Sequence, residues 1–263
     1  MASYEIQIRK GDCIAGLKKL EPETVALVFA DPPYNLSRSS LVNLKSKTGG
    51  AFHKINEDWD RWEASVYATF ARDWIASAYE ALKPNGSIYV CGSHHNLGVL
   101  LLTLESVGFE TKNIIVWEKP NAMPSMTRRT FTHSVEFIVW AIKGKNWIFD
   151  YEALKGLNPD KQKDGSPKMM RDVWRFPVVQ GAERLRGIDG RALHPTQKPE
   201  ALVERCIAAS TKPGDLVVDP FVGSGTTAVV AKRLKRAFVG FETNEVYVKA
   251  ARARVKKTAI QNS

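Results

Sequence analysis

Seven short apolar runs, most of them separated by stretches with helical spacing, constrain this chain more than any other feature. They cover residues 5–9, 26–30, 87–91, 113–117, 135–142, 216–219 and 237–241. The clearest helical pattern between them places Trp62, Val66, Phe70, Trp74 and Ala78 four apart, with Ile75 and Leu82 beside them. Such a stripe predicts core packing, and Lys83-Pro84-Asn85-Gly86 is expected to stop the helix. Residues 198–210 form a second good helical pattern. Strands alternating with helices predict an α/β fold with a doubly wound, mainly parallel, seven-stranded sheet covered on both faces. Sheets of this kind bind ligands beyond the carboxyl ends of their strands.

Two segments break the alternation. Residues 37–55 are polar and glycine-containing, and their basic side chains Arg38, Lys45, Lys47 and Lys54 have no acid between them. Residues 143–191 are too long for a simple connection and mix bases with Trp147, Phe149, Tyr151, Trp174 and Phe176. The aromatics argue against disorder, and they suit either a functional insertion or an excursion packed on the sheet.

At 263 residues, with 44% hydrophobic and 25% charged residues, the chain fits one domain with an inserted element. It has no apolar stretch of the roughly 20 residues a membrane helix needs, and residues 1–9 do not form a signal peptide. The expectation is a cytoplasmic protein with no membrane partner. Cys13, Cys91 and Cys206 stand apart with no metal-ligand spacing, so neither a disulfide framework nor a metal site is expected. The pair His94-His95 follows a strand end and reads as a helix cap or as a contact beside a ligand. The net charge of +10 fits a phosphate-rich partner. Residues 143–198 hold 12 Lys/Arg against 7 Asp/Glu, whereas the nine bases and two acids of residues 232–257 suit solvated helix faces.

Asp31-Pro32-Pro33-Tyr34 closes the apolar run 25–30. The prolines hold the backbone extended, so a carboxylate, a carbonyl and a flat ring come within a few ångströms. That set suits an exocyclic amino group on a planar heterocycle, whose hydrogens need acceptors and whose ring needs a stacking partner. A second motif follows the run 216–219: Asp219-Pro220-Phe221-Val222-Gly223-Ser224-Gly225-Thr226 leads into a helical run, and the next strand ends in Glu242. Glycines allow a tight turn and close ligand approach, and an acid at the end of the following strand is placed to hold a ribose diol. A nucleoside-type cofactor is therefore expected.

Together with His194-Pro195-Thr196-Gln197-Lys198-Pro199, these motifs resemble the amino-group DNA methyltransferases that use S-adenosyl-L-methionine. The resemblance runs over nearly the whole chain. With Asp31 to Tyr34 first and the glycine turn near the C-terminus, the order looks like the beta group of that family. It implies a catalytic part at 1–142, a target-recognition region at 143–193 and a cofactor-binding part at 194–263. It also implies double-stranded DNA as partner, and leaves a cognate restriction endonuclease and a homodimer open. Cytosine-C5 methylation, which in its own family uses a cysteine after a proline, is excluded because the chain has no Pro-Cys.

The amino lone pair of adenine is delocalised into the ring. Asp31 and the Pro32 carbonyl can accept its two hydrogens and bend the nitrogen toward tetrahedral geometry, with Pro33 holding the backbone and Tyr34 stacked on the flipped base. Nitrogen attacks the sulfonium methyl in line, and the Asp31 carboxylate stabilises the charge that develops on it. Asp219, Phe221, Gly223, Ser224, Gly225 and Thr226 are expected around the cofactor beside Asp31, with Glu242 on its ribose. By resemblance Asp12 accepts from the cofactor adenine, with a plain N-cap as the rival reading. Thr196 and Lys198 are similar to positions near the methionine end, where Lys198 would meet the carboxylate, with helix initiation after Pro195 as the rival. An Asp in first place resembles the adenine-N6 branch; cytosine-N4 methylation on the same fold and a non-catalytic nucleic-acid binder are the alternatives.

Overall fold

The computed structural model describes residues 4–35, 63–125 and 128–260. The basic stretch with Arg38, Lys45, Lys47 and Lys54, and Trp62 of the aromatic stripe, lie outside them. The strands are β1 (Ile6–Lys10), β2 (Val25–Ala30), β3 (Leu82–Gly92), β4 (Glu110–Glu118), β5 (Val135–Ile142), β6 (Val173–Arg175), β7 (Leu216–Asp219) and β8 (Ala237–Glu242). They form one sheet in the order β1-β8-β7-β2-β3-β5-β4-β6. Only β5 runs against its neighbours, pairing antiparallel with β3 and β4, so the sheet is mainly parallel as expected.

Among the described residues eight strands stand where seven were expected. The additional one, β6, lies inside the segment 143–193 and adds parallel to the sheet edge with Val116 opposite Val173. Three residues with only Trp174 buried give too short an alternation to be read from sequence. Trp174 joins the core, and the Arg205 guanidinium packs between Trp174 (5.3 Å) and Phe176 (4.4 Å). Phe149 stacks on Trp140 at 5.3 Å. Part of the segment's aromatic content is thus packing against the sheet.

β2 is buried at all six positions, as a central parallel strand covered on both faces must be. Leu27 and Phe29 face the layer holding α5 (Glu200–Ser210), α6 (Thr226–Arg233) and α7 (Glu245–Lys257). Val28 and Ala30 face the layer of α1 (Cys13–Leu17), α2 (Ala64–Ala81) and α3 (Leu97–Val107). The remaining helix, α4 (Tyr151–Leu157), packs near α5. In α2 the stripe is buried at Trp74 and Ala78, while Val66 is exposed. The helix ends at Ala81, and Lys83 to Gly86 become an irregular start to β3: the pairing jumps from Val25↔Leu82 to Leu27↔Ser87. Among the described residues no helix is long and apolar enough to cross a membrane.

Candidate active site

β2 and β7 are neighbours with Val28 opposite Val218, so Asp31 and Asp219 leave the same edge of the sheet side by side. Beyond them lies a cavity of about 340 Å³, a size suited to a small ligand. Asp12, Asp31, Pro32, Pro33, Tyr34, Thr196, Lys198, Asp219, Phe221, Gly223, Ser224, Thr226 and Glu242 all line it. One predicted residue does not: Gly225 faces away.

In the cavity wall Asp31 sits in a bonded cluster. Lys198 Nζ lies 2.7 Å from Asp31 Oδ2 and 3.7 Å from Glu136 Oε2. The Tyr34 hydroxyl approaches Asp31 Oδ1 at 2.9 Å and Glu136 Oε2 at 3.2 Å, and Lys119 Nζ donates to Glu136 Oε1 at 3.0 Å. The Tyr67 hydroxyl donates to the Pro33 carbonyl at 2.9 Å, which fixes the proline pair from α2. Burial raises the Asp31 carboxyl above its ordinary 3.8, with Lys198 pulling the other way. Burial also opposes the Lys198 charge, but Asp31 and Glu136 outweigh it and raise its pKa, so the ammonium stays protonated. Burial and the same two carboxylates lift Tyr34 well above 10, and it remains a neutral donor.

Sequence reasoning missed Glu136 and Lys119, and it gave Lys198 a different partner. Expected either at a cofactor carboxylate or at a helix start, Lys198 lies two residues before α5, and its ammonium contacts Asp31 and is almost fully buried. The signal for Glu136 was a lone carboxylate at the second position of the otherwise apolar run 135–142. Phe70, read as core, also lines the cavity and meets Phe221 edge-on at 6.1 Å.

The glycine turn builds another part of the cavity wall. Glu242 accepts from the Gly223 amide at 2.9 Å through Oε2 and from the Asn244 amide at 2.8 Å through Oε1. It thus holds the turn while lining the cavity. Gly223 has φ +48°, and a Cβ there would stand 2.7 Å from His194 Nε2. A side chain there would collide with the His194 ring, which also lines the cavity, so the turn needs glycine at this position. Burial and the nearby Lys198 lower His194 to about 4, leaving it neutral near pH 7. Asp12 is the N-cap of α1, accepting from the Ala15 amide at 2.8 Å, and it also lines the cavity. Its two readings are compatible. His94 and His95 do not line the cavity. The α3 cap position is Asn96, whose Oδ1 accepts from the Ser93 amide.

Gly225 has φ +80°, and a Cβ on it would stand 2.7 Å from the Ala251 Cβ on α7. Gly225 packs the turn closely against α7. Gly225→Leu is therefore expected to destabilise the protein by roughly 3 kcal/mol through overpacking, a melting shift of about 6–12 °C. Thermal melts of the unliganded protein check this. An unchanged melting temperature with lost cofactor affinity would restore the original reading.

Asp219 accepts from the Phe221 amide at 2.8 Å and from the Thr227 hydroxyl. Burial dominates and raises its pKa from 3.8 to about 7. Between those values the native state binds the proton that the unfolded chain has lost, so this group's contribution to stability falls as pH rises from about 4 to about 7. Asp219→Asn should flatten that part of the stability profile in denaturant titrations at several pH values. An unaltered profile would refute the assignment.

A profile of the DNA methylase family matches residues 25–253. The chain belongs to that family. It is similar to the type II methyltransferase M2.DpnII of Streptococcus pneumoniae, 42% identical over 250 residues that span 93% of this chain and 87% of that protein. It has the same identity to M2.LlaDCHI of Lactococcus lactis subsp. cremoris, over 92% of this chain and 86% of the relative. Among solved structures, the M1.HpyAVI–SAM complex superposes with a TM-score of 0.66 at 28% identity, covering 95% of this chain and 98% of that one. The cytosine-N4-specific PvuII DNA methyltransferase reaches 0.72 at 23% identity over 94% and 85%, a likeness of fold.

Proposed function

We propose that this chain is a site-specific DNA methyltransferase that transfers a methyl group from S-adenosyl-L-methionine to the N6 amino group of adenine in duplex DNA. The observation that carries the reading is that Asp31, Tyr34 and Lys198 line the same cavity as the Gly223–Glu242 turn. S-adenosyl-L-methionine supplies an electrophilic methyl group when bound. Gly223 and Phe221 border its place, and Glu242, with both oxygens already oriented by amides, can accept from ribose hydroxyls. Asp12 is available to an adenine amine.

Asp31 accepts one hydrogen of the target amine and balances the charge that develops on nitrogen. Tyr34 and Lys198 fix the carboxylate's two oxygens, so Asp31 needs no reorganisation as that charge develops. With the Pro33 carbonyl taken by Tyr67, the Pro32 carbonyl is the second acceptor for the amine. The Tyr34 ring borders the cavity where a flipped base would stack. Residues 143–193 form the target-recognition region in this reading. The exposed Lys161, Lys163, Lys168, Arg171, Arg175 and Arg186 support it, because they can neutralise phosphates around a base-reading surface. The type II names of the relatives support a restriction endonuclease of matching specificity as genetic partner. Self-association into a homodimer belongs to the same proposal and is read by light scattering.

Digestion of methylated duplex DNA to nucleosides, followed by mass spectrometry, tests the assignment. N6-methyladenine is the expected product. A dominant N4-methylcytosine peak would move the substrate to cytosine, and no methylated base would overturn the reading.

A further inference from the structure

Phe131 is 98% exposed, between the exposed arginines 128 and 129 and the exposed His133. Single exposed apolar residues are ordinary on protein surfaces. What sets this one apart is where its connection is rooted. The β4–β5 connection leaves the same sheet edge as Asp31, because β5 is antiparallel to β3 and Glu118 pairs with Val135. At its base the Lys119 amide donates to the Ser134 carbonyl at 2.8 Å. The Lys119 ammonium bonds Glu136 within the Asp31 cluster.

The described residues of the connection are also braced. Asn121 exchanges two hydrogen bonds with the Val178 backbone, at 2.7 and 3.3 Å. The hydroxyls of Ser125 and Thr130 lie 3.1 Å apart, and the His133 ring stacks on His94 at 4.4 Å with 7° between the planes. Phe131 stands five residues before Glu136, so extended chain allows at most about 18 Å between their Cα atoms. An exposed aromatic side chain is therefore carried on the sheet edge that bears Asp31, with two exposed arginines just before it in the chain.

We propose that Phe131 is a wedge that enters the duplex at the step vacated by the target base, with Arg128 and Arg129 on the flanking phosphates. Extruding a base leaves a gap with unstacked faces on either side, and an inserted aromatic ring restores stacking there. Arginine is suited to bidentate phosphate contact. The inference rests on the reading of the chain as a base-flipping DNA methyltransferase.

The test compares wild type with Phe131→Ala and Phe131→Trp on two duplexes. One is fully paired, and the other carries a mismatch opposite the target, where extrusion is cheaper. Phe131→Ala should lose roughly tenfold to hundredfold in kcat/KM on the paired duplex, the loss of one base–aromatic stack, and only a few-fold on the mismatch. Phe131→Trp should stay near wild type, and both variants should melt at the wild-type temperature, since the ring packs against nothing. Phe131→Ala within twofold of wild type on the paired duplex, or an equal loss on both duplexes, would overturn the wedge. Failure of the wild type on both duplexes would instead overturn the methyltransferase reading.

Discussion

Asp31→Asn should lower kcat by roughly three orders of magnitude while binding of S-adenosylhomocysteine stays within about tenfold. The magnitude follows from removing one preorganised electrostatic group at a developing charge, worth about 10² to 10³ in rate. Here the same side chain is also an acceptor for the target amine. Asn keeps the volume, retains one acceptor for Tyr34 and leaves Lys198 beside Glu136. The pH dependence carries a sign. Burial raises Asp31 above 3.8, and only the ionised form carries the charge that balances the developing cation, so wild-type kcat should fall as pH drops through that raised value. Single-turnover kinetics and calorimetry together check both halves. An Asn variant retaining a tenth of wild-type turnover would remove Asp31 from the chemistry.

The layout of the site was legible because it depends on local signals. A continuous apolar run ending in Asp31, and a strand–glycine turn–helix ending its partner strand in Glu242, name their own positions at the carboxyl edge of a parallel sheet. Both strands need only the alternation of elements to become neighbours. The long-range partners were not legible. Glu136 reaches Asp31's cluster across 105 residues because β5 runs antiparallel beside β3, and nothing local in Val135–Ile142 fixes that direction. β6 was hidden for the same reason, being three residues whose strand character comes from pairing with β4. Gly225 shows the limit of reading a motif as a unit. Two glycines one residue apart look equivalent in sequence, yet one approaches His194 beside the cavity and the other makes room for α7.

Lys198→Met should cost roughly 3–5 kcal/mol near pH 8, because it leaves two carboxylates together without the buried cation between them. Asp31 Oδ1 and Glu136 Oε2 already share the Tyr34 hydroxyl, and Lys198 lowers the pKa of both. Without it, burial and mutual repulsion raise them, and the pair retains a proton that the unfolded chain gives up. Stability of the variant should therefore fall as pH rises above about 4, since the native state then binds more protons than the unfolded one. In wild type the lysine's own contribution has the opposite limit: its raised pKa keeps the stabilisation intact below 10.5 and loses it only in more alkaline solution. Catalysis should report the same event from the other side. The acid limb of the variant's kcat profile should move to higher pH, since methyl transfer needs Asp31 ionised. Denaturant titrations and single-turnover rates between pH 5 and 9 would show the two effects moving together. A variant whose acid limb stays where wild type has it would mean that Lys198 does not set the charge of Asp31, and would return the lysine to the cofactor carboxylate.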